Sequence, residues 1–272
     1  MKNKISITLN AGILKRIDSI VDGLIVRNRS QAIEVVLKRA LDREKIAVIL
    51  LGGPEEKIRI TDKFLPELEI KDTTLIERQI RKLRESNFRE IFVIARKKVL
   101  ESVFGIMKDG KEYGIRINYV EEKTANGSAD TLRGVRNMIK DTFLVLFGDI
   151  IFDSINLNEL WHSHSLNPAI ATLNLITYQN PSVKGEVTLE GSKIITFNQK
   201  PEKRVKDESY LVFSPIFICE PELLQYKGSS LEEDIFPVII KKNLLNGYVS
   251  ATREFHIHNK ENLEEANLII KR

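Results

Sequence analysis

Three segments of the chain place residues that could bind a charged ligand at the ends of apolar runs. The run over residues 46–51 stops at the paired glycines Gly52 and Gly53, and a run over residues 143–147 leads into Asp149. The third segment, residues 120–130, contains acidic, glycine and hydroxyl side chains. Ligands of parallel sheets bind beyond the carboxyl ends of the strands, where a carboxylate is a natural ligand for Mg²⁺. Without further evidence, Asp149 could equally be a turn residue.

Alternating strands and helices are predicted to position these segments. Helical spacing predicts helices over about 74–86, 98–107 and 127–138, and apolar runs predict strands over 91–95, 115–120 and 142–147. This alternation is typical of a mostly parallel sheet with helices on both faces. The three segments should therefore meet at one edge of the sheet.

The composition is that of a globular protein. The 272 residues are 42% hydrophobic and 29% charged, which suits one or two domains. No apolar run approaches the ~18–20 residues that cross a bilayer, and the polar N-terminus does not resemble a signal peptide. The single cysteine, Cys219, excludes an internal disulfide and a cysteine-rich metal site. We therefore expect a cytoplasmic protein with no membrane partner.

Residues 1–45 differ from the rest in charge and pattern. They contain 10 Lys and Arg against 5 Asp and Glu, whereas the remaining residues have a net charge of −1. Strict alternation over residues 4–9 predicts a strand, and two helices should follow, with Asn10 and Ser30 as their caps. So short a segment cannot bury a core alone. We expect two domains, residues 1–45 and 46–272, and a homodimer or higher homo-oligomer.

The strand, the glycine-containing turn and the opening Arg29-Ser30-Gln31-Ala32-Ile33 of the second helix resemble the ribbon-helix-helix family of DNA-binding proteins. The resemblance implies a two-stranded ribbon in the major groove of double-stranded DNA. The alternative left open is a dimerisation module with no role on DNA. The implied DNA-binding residues are Lys4, Ser6 and Thr8 on base edges, and Arg27, Arg29, Ser30 and Gln31 on phosphates.

Residues 46–272 resemble the sugar-1-phosphate nucleotidyltransferases, or NDP-sugar pyrophosphorylases. Gly52 and Gly53 match the signature L-A-G-G-x-G-T-R-L, and residues 63–66 are a shortened form of the K-P-L-x-P segment that follows it. The implied fold class is α/β. The N-terminal ribbon-helix-helix would be followed by a Rossmann-like, mixed-sheet nucleotidyltransferase domain of the glycosyltransferase-A type.

The same resemblance implies a ligand site. Asp149 falls on the family's metal-binding aspartate, His256 falls on its second one, and Glu122 replaces the glutamine that binds the base. Catalysis, if present, would involve Lys57 and Asp149, and only an active site would need Mg²⁺ or Mn²⁺. The implied ligand-binding residues are Gly52, Gly53, Lys57, Lys63, Glu122, Gly127, Ser128, Asp149, Gly185, Gln199 and Lys200.

Four departures from the family pattern argue against turnover: Glu55, Glu56, Gln199 and His256. The two glutamates would place negative charge beside a triphosphate. We therefore predict a DNA-binding transcription regulator whose inactive large domain senses a nucleotide, a nucleotide-sugar or a sugar phosphate. The alternative is an active sugar-1-phosphate nucleotidyltransferase whose N-terminal domain oligomerises it or regulates its own gene. A third interpretation is an assembly platform without a ligand.

Overall fold

A computed structural model divides the chain into two compact units, Met1–Glu44 and Lys45–Arg272. The structure describes residues 6–23, 26–41, 45–123, 126–179, 184–201, 209–251 and 254–270. Within these ranges no helix is both long enough and apolar enough to cross a membrane.

The first unit contains two helices, α1 (Ala11–Asp18) and α2 (Arg29–Leu41). Asn10 caps α1 as predicted, because its side chain accepts a hydrogen bond from the Ile13 N–H at 2.9 Å. The predicted cap of α2 was wrong. The side chain of Asn28, not Ser30, accepts the Gln31 N–H at 2.9 Å, since the helix already begins at Arg29.

Residues 4 and 5 of the predicted strand over residues 4–9 lie outside the described residues, and residues 6–9 form no strand. Residues 6–9 pair with no strand among the described residues, and the side chain of Ile7 is 50% exposed. A strand needs a partner for its backbone N–H and C=O groups, and the described part of the chain supplies none for residues 6–9. The ribbon-helix-helix arrangement is therefore not shown, and the homodimer or higher homo-oligomer stays a prediction. The core of this unit consists of Ile17, Val26 and Ala32.

The second unit is an α/β domain built on one large sheet. Its strands are β1 (Lys45–Leu51), β2 (Arg59–Ile60), β3 (Lys63–Phe64), β4 (Glu69–Ile70), β5 (Thr73–Thr74), β6 (Phe88–Ala95), β7 (Arg116–Glu121), β8 (Phe143–Phe147), β9 (Ile150–Ile151), β10 (Ala171–Tyr178), β11 (Gly185–Glu190), β12 (Lys193–Gln199), β13 (Tyr210–Cys219), β14 (Leu245–Val249) and β15 (Phe255–His256). Its helices are α3 (Leu75–Glu85), α4 (Lys97–Met107), α5 (Ser128–Leu132), α6 (Leu157–Leu166), α7 (Phe236–Ile240) and α8 (Lys260–Ile269).

The large sheet has the strand order β10-β14-β12-β11-β13-β8-β1-β6-β7. The four strands β8, β1, β6 and β7 are parallel, whereas β13 runs antiparallel to β8. The predicted parallel arrangement therefore holds for one half of a mixed sheet. In β1, Ala47 and Ile49 belong to one buried cluster and Val48 belongs to the other. This alternation explains why apolar helices cover both faces of the sheet.

Local sequence explains where several elements begin and end. The Thr74 hydroxyl and the Glu77 carboxylate form a capping box that starts α3. The helix predicted over 127–138 is shorter than expected, because α5 ends at Leu132 and continues only as a 3₁₀ turn, Arg133–Val135. Gly134 lies in that turn, and glycine is a poor helix former.

Candidate functional site

The Gly148-Asp149 pair lies directly after β8, at the carboxyl end of the parallel half of the sheet. The Gly148 N–H donates to the carbonyl oxygen of Leu50 at 2.8 Å. A Cβ atom at Gly148 would lie 2.2 Å from Cδ2 of Leu51, so no larger residue fits here without movement. This close approach fixes the position of Asp149 at the sheet edge.

A small antiparallel pair brings a distant histidine to Asp149. Strands β9 and β15 pair His256 with Ile150, and the Ile257 N–H donates to the Asp149 carbonyl oxygen at 2.8 Å. Asp149 Oδ2 lies 3.9 Å from Nδ1 of His256 and 3.4 Å from Nδ1 of His258. One potential ligand atom from each of these three residues lies within 4.8 Å of the others. We call them the Asp149 cluster.

A buried glutamate lies behind His256. Glu254 has only 1% of its side chain exposed and lies 2.7 Å from Nε2 of His256. It also accepts hydrogen bonds from Lys184 and from the Ser214 hydroxyl. Burial alone would raise the pKa of Glu254, but the His256 hydrogen bond and the Lys184 charge outweigh it and lower the pKa to about 2. Glu254 is therefore a carboxylate at neutral pH.

The two histidines differ in pKa because their neighbours differ. Burial would lower the pKa of His256, but the carboxylates of Asp149 and Glu254 raise it above its ordinary value. For His258, burial and nearby cations, including Lys200, lower the pKa despite the charge of Asp149. The site therefore combines carboxylate, imidazole and ammonium groups.

The β11–β12 pair carries three of the predicted ligand-binding residues toward this cluster. Gly185 pairs with Gln199, and the Lys200 N–H donates to the carbonyl oxygen of Lys184 at 3.1 Å. A Cβ at Gly185 would meet the Phe197 ring at 2.4 Å. Gly185, Gln199 and Lys200 thus adjoin Lys184, which contacts His256.

Glu122 lies beneath the glycine loop that follows β1. Its side chain is 2% exposed, and its Oε2 atom accepts the Gly53 N–H at 2.6 Å. The Thr131 hydroxyl donates to the other carboxylate oxygen, Oε1. Arg96 Nε lies 3.8 Å from Oε2. A Cβ at Gly52 would lie 2.2 Å from Oε1 of Glu122. The loop and this carboxylate therefore form one tightly packed unit.

Gly127 and Ser128 pack against residues 229–232. A Cβ at Gly127 would lie 2.5 Å from the carbonyl oxygen of Ser229. The Ser128 hydroxyl donates to Glu232 at 2.7 Å and accepts the Leu231 N–H at 2.9 Å. Any ligand contact by the Ser128 hydroxyl would have to compete with these bonds.

The charges of the glycine loop differ from those we predicted. Glu55 lies 3.5 Å from the ammonium group of Lys98, which offsets its charge, and Glu56 is exposed to solvent. Lys57 is also exposed. Lys63 lies 3.0 Å from Glu69. The argument that the two glutamates would repel a triphosphate is therefore weaker, because Lys98 lies beside Glu55 and solvent screens the charge of the exposed Glu56.

Sequence reasoning missed His258, Glu254 and Lys184 as members of the site. His256 and His258 are two residues apart, a spacing that places both side chains on one face of an extended segment. That spacing was a usable signal for His258. The same spacing applies to Glu254, which lies two residues before His256 and contacts it. No local signal identified Lys184, because its contact with Glu254 joins residues 70 positions apart in the chain.

Gln79 holds the backbone on both sides of Asp149. This α3 side chain is buried, and its Nε2 atom donates to the carbonyl oxygens of Gly148 at 3.1 Å and Ile150 at 2.8 Å. Replacing Gln79 by alanine leaves both carbonyls without this donor. We expect the free energy of unfolding to fall by about 1–3 kcal/mol, measured by urea denaturation.

The matched control for this substitution is Gln225→Ala, because Gln225 is exposed. It should change the free energy of unfolding by less than about 0.5 kcal/mol. If both variants unfold at the same urea concentration, Gln79 does not support the Asp149 loop.

The predicted DNA-binding residues are partly engaged within the first unit. Arg29 Nε lies 2.6 Å from Asp18, and the Gln31 N–H is taken by Asn28. The Arg27 N–H donates to the Gln31 side chain at 2.7 Å. The remaining residues in this set are the exposed Ser6, Thr8 and Ser30, and Lys4, which lies outside the described residues.

Comparison with known proteins identifies the second unit. Residues 46–255 match the model of the family described as nucleotidyl transferase. A mannose-1-phosphate guanylyltransferase catalytic subunit beta from Dictyostelium discoideum is 27% identical over 202 residues, which are 71% of this chain and 55% of that protein. A mannose-1-phosphate guanylyltransferase from Mycobacterium tuberculosis is 25% identical over 218 residues, which are 76% of this chain and 59% of that protein. The chain thus spans little more than half the length of these relatives.

Solved structures show the same fold. A Bacillus anthracis protein assigned as a glucose-1-phosphate thymidylyltransferase, in complex with a sucrose, has a TM-score of 0.74 at 20% identity. The match covers 84% of this chain and 97% of that one. HddC from Yersinia pseudotuberculosis has a TM-score of 0.68 at 16% identity and covers 84% of this chain and all of that one.

These findings correct the predicted function. The prediction of a DNA-binding transcription regulator with an inactive nucleotidyltransferase-like domain is wrong, because the relatives are named as nucleotidyltransferases and none of them supports DNA binding. The alternative that we kept, a sugar-1-phosphate nucleotidyltransferase, agrees better with them. The family match covers most of the chain, and the chain belongs to the nucleotidyl transferase family.

Proposed function

We propose that residues 45–272 transfer a nucleotidyl group from a nucleoside triphosphate to a sugar 1-phosphate. An oxygen of the sugar phosphate forms a bond to the α-phosphorus, and the bond from that phosphorus to the bridging oxygen of the β-phosphate breaks. Pyrophosphate leaves with both electrons of the broken bond. Such a reaction depends on positioning and on neutralising phosphate charge more than on covalent chemistry by the protein.

The observation that carries this proposal is the Asp149 cluster at the end of β8, with Lys184 in contact with it. Lys200 lies near enough to His258 to lower its pKa. The Lys200 ammonium group can neutralise sugar phosphate or pyrophosphate oxygens, whereas the charge of Lys184 is already offset by the buried Glu254. Asp149 and His256 would hold a divalent ion, expected to be Mg²⁺ or Mn²⁺ for the family, and such an ion supplies further positive charge.

The glycine loop supports binding of the nucleotide. A Cβ at Gly53 would meet nothing within 4 Å, so a ligand can approach the backbone closely there, whereas Gly52 packs against Glu122. Lys57 lies on the exposed turn that follows, and we assign it to neutralising the triphosphate. The ion pair between Glu55 and Lys98 reduces the electrostatic objection to this role.

Glu122 is 2% exposed and both its oxygens already accept protein hydrogen bonds, so it would contact the base only after the glycine loop moves. Its carboxylate would then favour a guanine nucleotide as the donor. Guanine presents N–H donors on its Watson–Crick edge, whereas a carboxylate is an acceptor at both oxygens. Glutamine, the residue that Glu122 replaces in the family pattern, offers one acceptor and one amide donor group instead. The relatives named as mannose-1-phosphate guanylyltransferases support testing GTP and mannose 1-phosphate first.

The proposal predicts pyrophosphate release that requires both substrates. The purified full chain should be incubated with each of GTP, ATP, UTP, CTP and dTTP, a panel of sugar 1-phosphates, and Mg²⁺ or Mn²⁺. We expect GTP to be preferred and kcat to fall within about 1–10³ s⁻¹, the usual range for enzymes. Pyrophosphate and nucleotide-sugar should appear in equal amounts.

Reactions that lack the sugar 1-phosphate serve as the control, because they separate transfer from simple hydrolysis of the triphosphate. The proposal fails if no pair of substrates yields a nucleotide-sugar with either ion.

A further inference from the structure

We propose that Asp149, His256 and His258 form a two-histidine, one-carboxylate site that prefers a transition-metal ion, such as Mn²⁺, Co²⁺ or Zn²⁺, over Mg²⁺. The inference deepens the proposed function, on which its catalytic meaning rests. Metal binding itself can be measured without turnover.

The three donor atoms already lie close together. Asp149 Oδ2 is 3.9 Å from His256 Nδ1 and 3.4 Å from His258 Nδ1. All the donor atoms lie within 4.8 Å of one another. Ligand atoms bound at about 2.0–2.2 Å from one ion are about 3–4 Å apart. A small movement of the side chains would therefore complete the site.

Glu254 orients His256 as a metal ligand requires. Ligating histidines almost always donate the N–H of their second ring nitrogen to a carboxylate or carbonyl oxygen. Here Nε2 of His256 lies 2.7 Å from both the Glu254 carboxylate and the Lys184 ammonium group, and Nδ1 faces Asp149. If Nε2 carries the proton, the lone pair of Nδ1 is available to an ion. Nδ1 and Asp149 are too far apart for a good hydrogen bond, so a proton on Nδ1 would be poorly satisfied there.

The contacts that hold Glu254 in place are themselves buried. Glu254 and Lys184 form an ion pair whose side chains are almost inaccessible, and Ser214 donates to the other carboxylate oxygen. Such a fixed carboxylate holds the imidazole ring in one orientation. The ion pair also offsets the charge of Lys184, which would otherwise repel a cation.

An unpartnered oxygen points to a ligand at the same place. Oδ1 of Asp149 is buried and has no hydrogen-bond partner among the residues that the structure describes. A buried acceptor without a partner costs free energy. A bound cation would satisfy this oxygen, and a merely structural turn aspartate would not be expected to leave it unpaired.

The donor set decides the class of ion. Mg²⁺ demands oxygen ligands and keeps much of its water, whereas imidazole suits first-row transition ions. Two histidines with one carboxylate are the donor set of non-haem Fe²⁺ sites, and affinity generally rises from Mn²⁺ to Co²⁺. Two imidazoles in a three-residue set therefore favour these ions over Mg²⁺.

The test is direct metal binding to the untagged full chain after removal of metal with a chelator. Calorimetry should give one site per chain for Co²⁺ and Mn²⁺, at least about 10-fold tighter than for Mg²⁺. Bound Co²⁺ should also give a visible absorption spectrum, and each bound ion should raise the Tm.

Two variants test the proposed ligand His258 and the carboxylate Glu254 that orients His256. His258→Ala should weaken Co²⁺ binding at least about 10-fold, and it should fold, because this side chain is 63% exposed. Glu254→Gln should weaken binding about 10- to 100-fold, as expected for the partner of a ligating histidine. His162→Ala is the matched control, since His162 is exposed on α6, outside the Asp149 cluster. It should leave the affinity unchanged.

The inference is overturned if Mg²⁺ binds as tightly as Co²⁺, or if His258→Ala binds Co²⁺ as well as the unaltered chain does. Nucleotide transfer with Mg²⁺ and no tight Co²⁺ binding would overturn this inference and leave the proposed function intact. Tight Co²⁺ binding that depends on His258, in a chain with no transferase activity, would support the inference and overturn the proposed function.

Discussion

The Asp149→Asn variant is expected to have a kcat/KM for nucleotidyl transfer about 10²–10³-fold below that of the unaltered chain. Removing one preorganised electrostatic contact in an active site typically costs this much. Asparagine keeps the size of the side chain but removes its charge, so the cluster loses the group that would attract a divalent ion. Initial rates of nucleotide-sugar formation with GTP and mannose 1-phosphate measure the loss.

A neighbouring aspartate provides the matched control. Asp153 follows the same loop and forms an ion pair with Arg78, outside the Asp149 cluster. We expect Asp153→Asn to keep its activity within about twofold, because Asp153 lies outside the Asp149 cluster and its side chain is 40% exposed. Both variants should be checked for an unchanged Tm. If Asp149→Asn retains the activity of Asp153→Asn, Asp149 is a structural turn residue and the site lies elsewhere.

Much of the α/β fold could be predicted because its signals are local. The apolar run that ends at Gly52 and the run that ends at Gly148-Asp149 both proved to be parallel strands. These strands are parallel, so their carboxyl ends lie at one edge of the sheet, and this is the edge that carries Asp149. Local patterns did not predict the antiparallel half of the sheet, because its pairings depend on contacts between segments far apart in the chain. Only the family resemblance implied a mixed sheet.

The argument that Glu55 would repel a phosphate was incomplete, because it too depended on a contact between residues far apart in the chain. From the sequence, Glu55 stands beside a phosphate-binding loop with no evident partner. The structure places Lys98, from the start of α4, 3.5 Å away. The local sequence shows that a residue is acidic but not which distant cation neutralises it. Whether Glu55 argues against activity therefore depends on a contact that the local sequence does not show.

The regulator hypothesis rested on resemblance alone for residues 1–45. The described part of this unit shows two helices, but no strand ladder that would confirm a ribbon. A ribbon of this kind is intermolecular, so a single chain cannot form it. By contrast, a family match covering residues 46–255 identifies the larger unit directly.

The Glu122→Gln variant should change the nucleotide preference of the enzyme. A matched pair of hydrogen bonds to a base edge is worth about 1–3 kcal/mol of discrimination, which corresponds to about 5- to 150-fold in rate. The glutamine amide would face the N–H donors of guanine with donors of its own. Uracil presents an N–H between two carbonyl oxygens, which suits an amide better. We expect kcat/KM to fall for GTP and the ratio of UTP to GTP turnover to rise within this range.

Glu122 also accepts hydrogen bonds from the Gly53 N–H and the Thr131 hydroxyl, so Glu122→Gln also changes the contacts of the glycine loop. A control for this effect is needed. Glu121→Gln makes the same change at the adjacent exposed position and should leave both nucleotides unaffected. Loss of the loop contacts alone would lower the rate with every nucleotide by the same factor. If Glu122 contacts the base, the ratio of the rates with UTP and GTP changes. An unchanged ratio of UTP to GTP in Glu122→Gln would therefore show that Glu122 supports the glycine loop without selecting the base.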